Sequence, residues 1–223
     1  MNRAKIGLIG GAGPSAGGLL FEQLIKHCQE KYTCKQDHDF PHIMLVNYPF
    51  SDMLAETLCS KKIKSELRNC IKDLKNSGCS IIAIACNTLH LFLEGTLDDI
   101  NFVHMVEETK KTVNKISLHR PVVLCSSTAA RNSLHKQYFD CEYATEDIQK
   151  ILDTTIADIT EGKNLLAISQ QLSSILAERY QNFPIILGCT EFSYLHEKKP
   201  MDGKFIYDPS NIVAERIADI HYY

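Results

Sequence analysis

Residues 80–88 read Ser80-Ile-Ile-Ala-Ile-Ala-Cys86-Asn87-Thr88, an Ile-rich apolar run that stops at a thiol and two small polar groups. The pattern returns as Phe183-Pro-Ile-Ile-Leu-Gly-Cys189-Thr190-Glu191. Apolar runs of this length without polar alternation predict strands covered on both faces, as in a parallel sheet between helices. In such sheets ligands bind beyond the carboxyl ends of the strands. Each cysteine therefore stands where a strand stops and a polar turn begins, at the edge of a candidate site. Two such thiols on two similar half-units can face one ligand from opposite sides.

Working outward, strands alternate with helices along the chain. A strand over Lys5–Gly10 runs into the turn Gly10-Gly-Ala-Gly-Pro-Ser-Ala-Gly-Gly18, and a helix follows over 14–31 with Pro14 in its first turn. A strand at 41–47 precedes a helix at 61–76 that Gly78 closes; then come the Cys86 strand, a short strand at 101–105 and a helix at 106–116. The second half repeats the plan. It has a strand at 121–125, the hydroxyl-rich turn Ser126-Ser-Thr128, a strand at 138–143, and helices at 145–160 and 164–180 broken at Glu161-Gly-Lys163. The Cys189 strand, a strand at 205–207 and a final helix from Ser210, capped by Asp208 or Ser210, complete it. This alternation predicts an α/β fold of two halves that share one plan, as after an internal duplication, each a mostly parallel sheet flanked by helices. The expected division is 1–99 together with a returning tail 205–223, and 100–204.

The chain has 223 residues, 44% hydrophobic and 23% charged, with a net charge of −3. These are the proportions of a globular protein, and the slight acidity argues against a nucleic-acid partner. No apolar stretch reaches the roughly 18 residues that a membrane-spanning helix needs. The segment Met1–Gly7 lacks the apolar core of a signal peptide, so a cytoplasmic location and no membrane partner are expected. The nine cysteines are odd in number and form no CxxC, which excludes a disulfide framework and a zinc site by spacing. No metal is expected.

The turn Gly11-Ala-Gly-Pro-Ser-Ala16 fits G-x-G-x-x-A. A dinucleotide site would want an acid at the end of the second strand, where Asn47 stands instead. Backbone N–H groups at Gly11 and Gly13 holding a small carboxylate at a helix N-terminus are the preferred reading. A tight turn with no ligand is the plain alternative. Cys28, Cys59 and Cys70 fall in helical segments and read as packing, and Cys79 begins a strand where Cys86 and Cys189 end one. A helix N-terminus next to Cys86 and Cys189 is expected to favour their thiolates.

Together, Ile6-Gly-Leu-Ile-Gly-Gly-Ala-Gly-Pro14, Ala85-Cys-Asn-Thr88 with His90, and Ile186-Leu-Gly-Cys-Thr-Glu191 resemble the three signature segments of the aspartate/glutamate racemase family. Asp208 also sits where that family has an Asp. The resemblance spans nearly the whole chain. It implies a cofactor-independent, PLP-free racemase of aspartate or glutamate, often dimeric, built of two pseudo-symmetric α/β domains with the active site in the interdomain cleft and Cys86 and Cys189 as the acid/base pair on either side of the substrate α-carbon. Removing a proton from one face of that carbon and delivering one to the other needs two groups, one thiolate and one thiol at a time. Asn87, Thr88, Thr190 and the glycine turn are candidates for the α-carboxylate, with Asn47, Ser126 and Thr128 as further donors; a simple helix cap is the competing role for the hydroxyls.

The side-chain pocket departs from the resemblance. Aspartate-specific members carry an Arg in the loop after strand two, which here reads Asn47-Tyr-Pro-Phe-Ser-Asp-Met53. Lys163 lies near where the family places a substrate-recognising Lys, and Phe50 and Met53 suit a broader or longer substrate. The rival readings are a dicarboxylate isomerase or decarboxylase of the same superfamily, a non-catalytic small-carboxylate or dinucleotide binder, and a thiol redox protein. The partners expected are a small amino-acid substrate and a second copy in a homodimer.

Overall fold

The computed structural model describes residues 4–51, 59–95, 97, 99–115, 120–203 and 205–223. Met53 lies outside the described residues. The first sheet holds β1 (Lys5–Gly10), β2 (Ile43–Asn47), β3 (Cys79–Ile84) and β4 (Asn101–Val103), in the order β2-β1-β3-β4 and all parallel. The second holds β5 (Val122–Leu124), β6 (Glu142–Tyr143), β7 (Ile185–Leu187) and β8 (Ile206–Tyr207), in the order β6-β5-β7-β8, again all parallel. The two orders are the same, so β1 corresponds to β5 and β3 to β7. The helices are α1 (Ala16–Tyr32), α2 (Ser60–Asn76), α3 (Met105–Val113), α4 (Ser127–Arg131), α5 (Glu146–Thr160), α6 (Leu165–Arg179), α7 (Thr190–Lys198) and α8 (Pro209–Tyr222).

The absence of polar alternation in the strands follows from two-sided burial. Ile6 and Leu8 face a core with Leu20 and Leu24 of α1 and Val213 and Ile217 of α8. Their neighbour Ile9 faces the opposite side, with Ile63, Leu67 and Leu74 of α2. In the second sheet Val122 and Leu124 pack with Leu152, Leu172 and Phe192, while Val123 and Ile186 meet Val106, Ala129 and Leu134.

The sequence-drawn boundaries part from the sheets at two strands. β4 was assigned to the second unit but pairs with β3, because the short connection after Cys86 carries the chain only to the next position in the same sheet. β8 was assigned to the first unit but pairs with β7, reached through α7 as a parallel β–α–β crossover. α8 packs on α1 and α3 beside the first sheet. The chain therefore crosses between halves at Asp208, which caps α8 by accepting from the Ser210 N–H at 2.9 Å. The strand expected over 138–143 shrinks to Glu142–Tyr143, preceded by a 3-10 turn at His135–Gln137. α1 begins at Ala16, because Gly13, at φ +90°, holds the chain in the turn.

Candidate active site

In each sheet the strand order reverses beside the first strand, between β1 and β3 and between β5 and β7. That is where an open parallel sheet forms its ligand crevice. Gly11, Ala12 and Gly13 follow β1, Cys86 and Thr88 follow β3, Ser126 follows β5, and Cys189 follows β7. All of them line one cavity of about 460 Å³. Phe50, Ser51, Ile156, Ala157, Thr160, Glu161 and Glu191 complete its wall. The two crevices thus open onto each other. Hydrogen bonds cross the seam between Thr88 Oγ1 and Ser126 Oγ (3.2 Å) and from Thr190 Oγ1 to the Ala85 carbonyl (3.4 Å).

The two thiols differ in their surroundings. Cys86 is 8% exposed and precedes the 3-10 turn Thr88–Phe92, whose Thr88 and Leu89 N–H groups point at it. Cys189 caps α7, and its Sγ donates to Glu191 Oε2 at 2.8 Å. Burial, reinforced by the Glu191 charge, pushes the Cys86 thiol up to about 12, against the pull of those two N–H groups. Burial also raises Cys189 well above the ordinary thiol range, followed by the Glu191 charge and hydrogen bond and then by charge on Cys86. The expectation that helix N-termini favour both thiolates is therefore corrected, since loss of water outweighs the dipole. Charge on Cys86 opposes charge on Cys189, so the site disfavours two thiolates at once. Burial raises Glu191 too, bringing its proton affinity towards that of the thiol it touches.

Three supports hold this floor. His90 Nδ1 bonds the carbonyls of Cys86 (2.8 Å) and Asn87 (3.2 Å), while its Nε2 accepts from the Met105 N–H (3.2 Å). These partners fix a neutral ring, and burial lowers its pKa to about 3. Asp208 accepts from Gln23 Nε2 of α1 (2.9 Å), Ser193 Oγ of α7 (2.6 Å) and the Ser210 N–H of α8, joining the helices that follow the glycine turn and Cys189. Gly13 lies so close to Glu191 that a Cβ would stand 2.2 Å from Oε1.

A family model for Asp/Glu/Hydantoin racemase matches residues 9–216, which include both cysteine segments. The chain belongs to the Asp/Glu/Hydantoin racemase family. Among curated proteins, the broad specificity amino-acid racemase RacX of Bacillus subtilis (strain 168) is 28% identical over 195 residues, covering 84% of this chain and 86% of that protein. The glutamate racemase of Buchnera aphidicola subsp. Schizaphis graminum is 28% identical over 207 residues, covering 82% of this chain and 77% of its own length. The aspartate racemase of Picrophilus torridus superposes with a TM-score of 0.75 at 20% identity, over 97% of this chain and 95% of that one, which shows the shared fold. Family membership supports amino-acid racemisation as the activity of this chain.

Of the residues expected at the site of this racemase-family chain, Gly11, Gly13, Cys86, Thr88, Ser126 and Cys189 line the cavity. Ser126 combines both expected roles, accepting the Ala129 N–H as the cap of α4 while bonding Thr88. Thr190 lies behind the wall, facing Ala85. Asn87 is buried, and neither amide atom has a hydrogen-bond partner among the described residues. Asn47 instead holds the glycine turn from outside by donating to the Pro14 carbonyl (3.3 Å), and Thr128 is buried within α4. Lys163 is not on the wall; it pairs with Asp158 (2.5 Å) and Glu161 (3.1 Å) at the end of α5. Sequence reasoning missed Glu191, Glu161 and Ser51. The signal for Glu191 was available: an acid two residues after Cys189 lies in the first turn of the helix that the cysteine caps.

Proposed function

We propose that this chain is a cofactor-independent amino-acid racemase in which Cys86 and Cys189 exchange protons with opposite faces of the substrate α-carbon. The observation that carries the proposal is the convergence of two thiols, from equivalent ends of β3 and β7, on one cavity. Glu191 accepts the Cys189 proton when Cys189 acts as base. The Thr88 and Leu89 N–H groups stabilise Cys86 when it acts as base. The N-terminal ends of α1 and α7, which follow the glycine turn and Cys189, favour the α-carboxylate and the charge that develops on it as the α-proton leaves. A homodimer, implied by the resemblance, belongs to the same proposal and is tested by size-exclusion chromatography with light scattering.

The experiment is deuterium wash-in at Cα in D₂O with chiral separation of the product, run on wild type, Cys86→Ala and Cys189→Ala. Wild type gains deuterium with growth of the opposite enantiomer, and each variant loses at least about 10²-fold of that rate, the scale of one general acid or base. Racemisation that survives loss of either thiol refutes the two-thiol scheme.

A further inference from the structure

The cavity is electrically uneven. Its floor collects helix N-termini, but one wall is the end of a helix pointing the other way. Ile156, Ala157 and Thr160 belong to the last turns of α5, and Glu161 follows as its C-cap. The C-terminal end of a helix carries partial negative charge. Beyond it the chain turns back through Gly162 at φ +77°, with the Gly162 N–H donating to the Ile159 carbonyl and the Lys163 N–H to the Asp158 carbonyl. Lys163 is the one cation in this corner among the described residues, and it is shared by two carboxylates, Asp158 and Glu161. The corner keeps a net negative charge. Across from it, Ser51 Oγ and its N–H both bond the buried carboxylate of Glu66. Phe50, Ile156 and Ala157 give the same cavity an apolar part of its wall.

From these walls we infer that the side-chain subsite takes an amino acid with an unbranched aliphatic stem and a cationic end, lysine or arginine in type, with Glu161 as the specificity-determining residue. The inference rests on the racemase reading and departs from it only in side-chain class. The stem lies along Phe50, Ile156 and Ala157, and the cation reaches Glu161 and the α5 carboxyl end, as long basic side chains do when they bury the stem and keep the head in water. An acidic side chain would meet the same wall with like charge. Glu161 is 62% exposed, so its attraction is moderated by solvent, and the helix end adds to it.

The test is the wash-in rate with L-lysine, L-arginine, L-norleucine, L-aspartate and L-glutamate on the full chain. Norleucine is lysine without its ammonium group and isolates the charge. Lysine or arginine is expected to exceed norleucine in kcat/KM by about tenfold, with the acids lower still. Glu161→Gln lowers the lysine-to-norleucine ratio about fivefold, mainly through KM. Lys163→Ala, which frees both carboxylates, raises that ratio; damage to the fold would not produce opposite signs in two variants of the same corner. Norleucine or an acid turning over as fast as lysine, or a ratio that neither variant moves, overturns the inference and leaves the racemase reading standing. No exchange with any of the five overturns the racemase reading and this inference with it.

Discussion

Replacing Asp208 tests how the two halves are latched. Its carboxylate, at the crossover from β8 to α8, accepts from Gln23 Nε2, Ser193 Oγ and the Ser210 N–H at 2.6–2.9 Å. A hydrogen bond to a charged group contributes about 1.5 kcal/mol or more. Asp208→Ala removes three and strands buried donors on α1, α7 and α8, while relieving the cost of burying a charge. The net loss is about 3 kcal/mol, which for a chain of this size lowers Tm by about 6–12 °C. Asp208→Asn is milder. Its Oδ1 still accepts from Ser193 and Ser210, and Gln23 can turn its own oxygen to the new amide. That turn faces Gln23 Nε2 to Ser210 Oγ, which now donates to Gln23 Oε1 at 2.7 Å. One mismatched bond remains, worth about 1 kcal/mol. Burial raises the Asp208 pKa in the folded chain despite its three donors, so the folded state holds the proton more tightly than the unfolded one. That contribution is fully present below the unfolded carboxylate range and is lost as pH rises towards the folded pKa. The gap between wild type and the Asn variant therefore narrows as pH rises above the ordinary carboxylate range. Urea and thermal unfolding followed by circular dichroism measure both variants. Equal losses for Ala and Asn, or an Ala variant within about 0.5 kcal/mol of wild type, would refute the latch.

Two further perturbations address the floor of the cavity. Glu191→Gln removes the acceptor of the Cys189 proton and should lower α-carbon exchange by about 10²-fold. The carboxylate must be ionised to accept, so the wild-type rate falls as pH drops through the raised Glu191 pKa. The pH–rate profile of the Gln variant should lack that limb, and a persisting limb would assign it to another group. Gly13→Ala places a Cβ 2.2 Å from Glu191 Oε1 at a φ of +90° and should cost about 1–2 kcal/mol in stability along with exchange activity. In a Glu191→Ala background the same change should cost at least about 0.5 kcal/mol less, and strict additivity of the two would show that the contact is not felt.

The fold was legible because its strands are buried on both sides. Runs such as Ile81–Ile84 and Ile185–Leu187 have no other stable place, and each is followed by a small residue, Ala85 or Gly188, that can open a turn. The thiols were legible for the same reason, because they stand at the strand ends. What the sequence concealed depends on lateral packing. β4 and β8 have three and two residues, too few for pattern to assign them to a sheet. Asn47 is the last residue of β2, at the same edge as the residues after β3 and β5, but the turn at Pro14 lies between it and the cavity. Lys163 stands in the right part of the chain, yet its ammonium is taken by Asp158 and Glu161. The rise in both thiol pKas was hidden because burial at the seam arises only when the two halves meet.

The duplicated strand order pairs Cys86 with Cys189, but the residues two places further on are Thr88 and Glu191. One thiol thus has a carboxylate acceptor beside it where the other has a hydroxyl, and the device has a handedness. The reaction proposed has none in its energetics: the two enantiomers have equal free energy, and the equilibrium constant is one. Detailed balance then requires kcat/KM to be the same in both directions, in wild type and in every variant, however lopsided the chemistry. The inequality of the two thiols has no outlet in that ratio. It can appear only in how kcat and KM divide between the enantiomers, and in which of them leaves the protein resting with Cys86 rather than Cys189 carrying the proton.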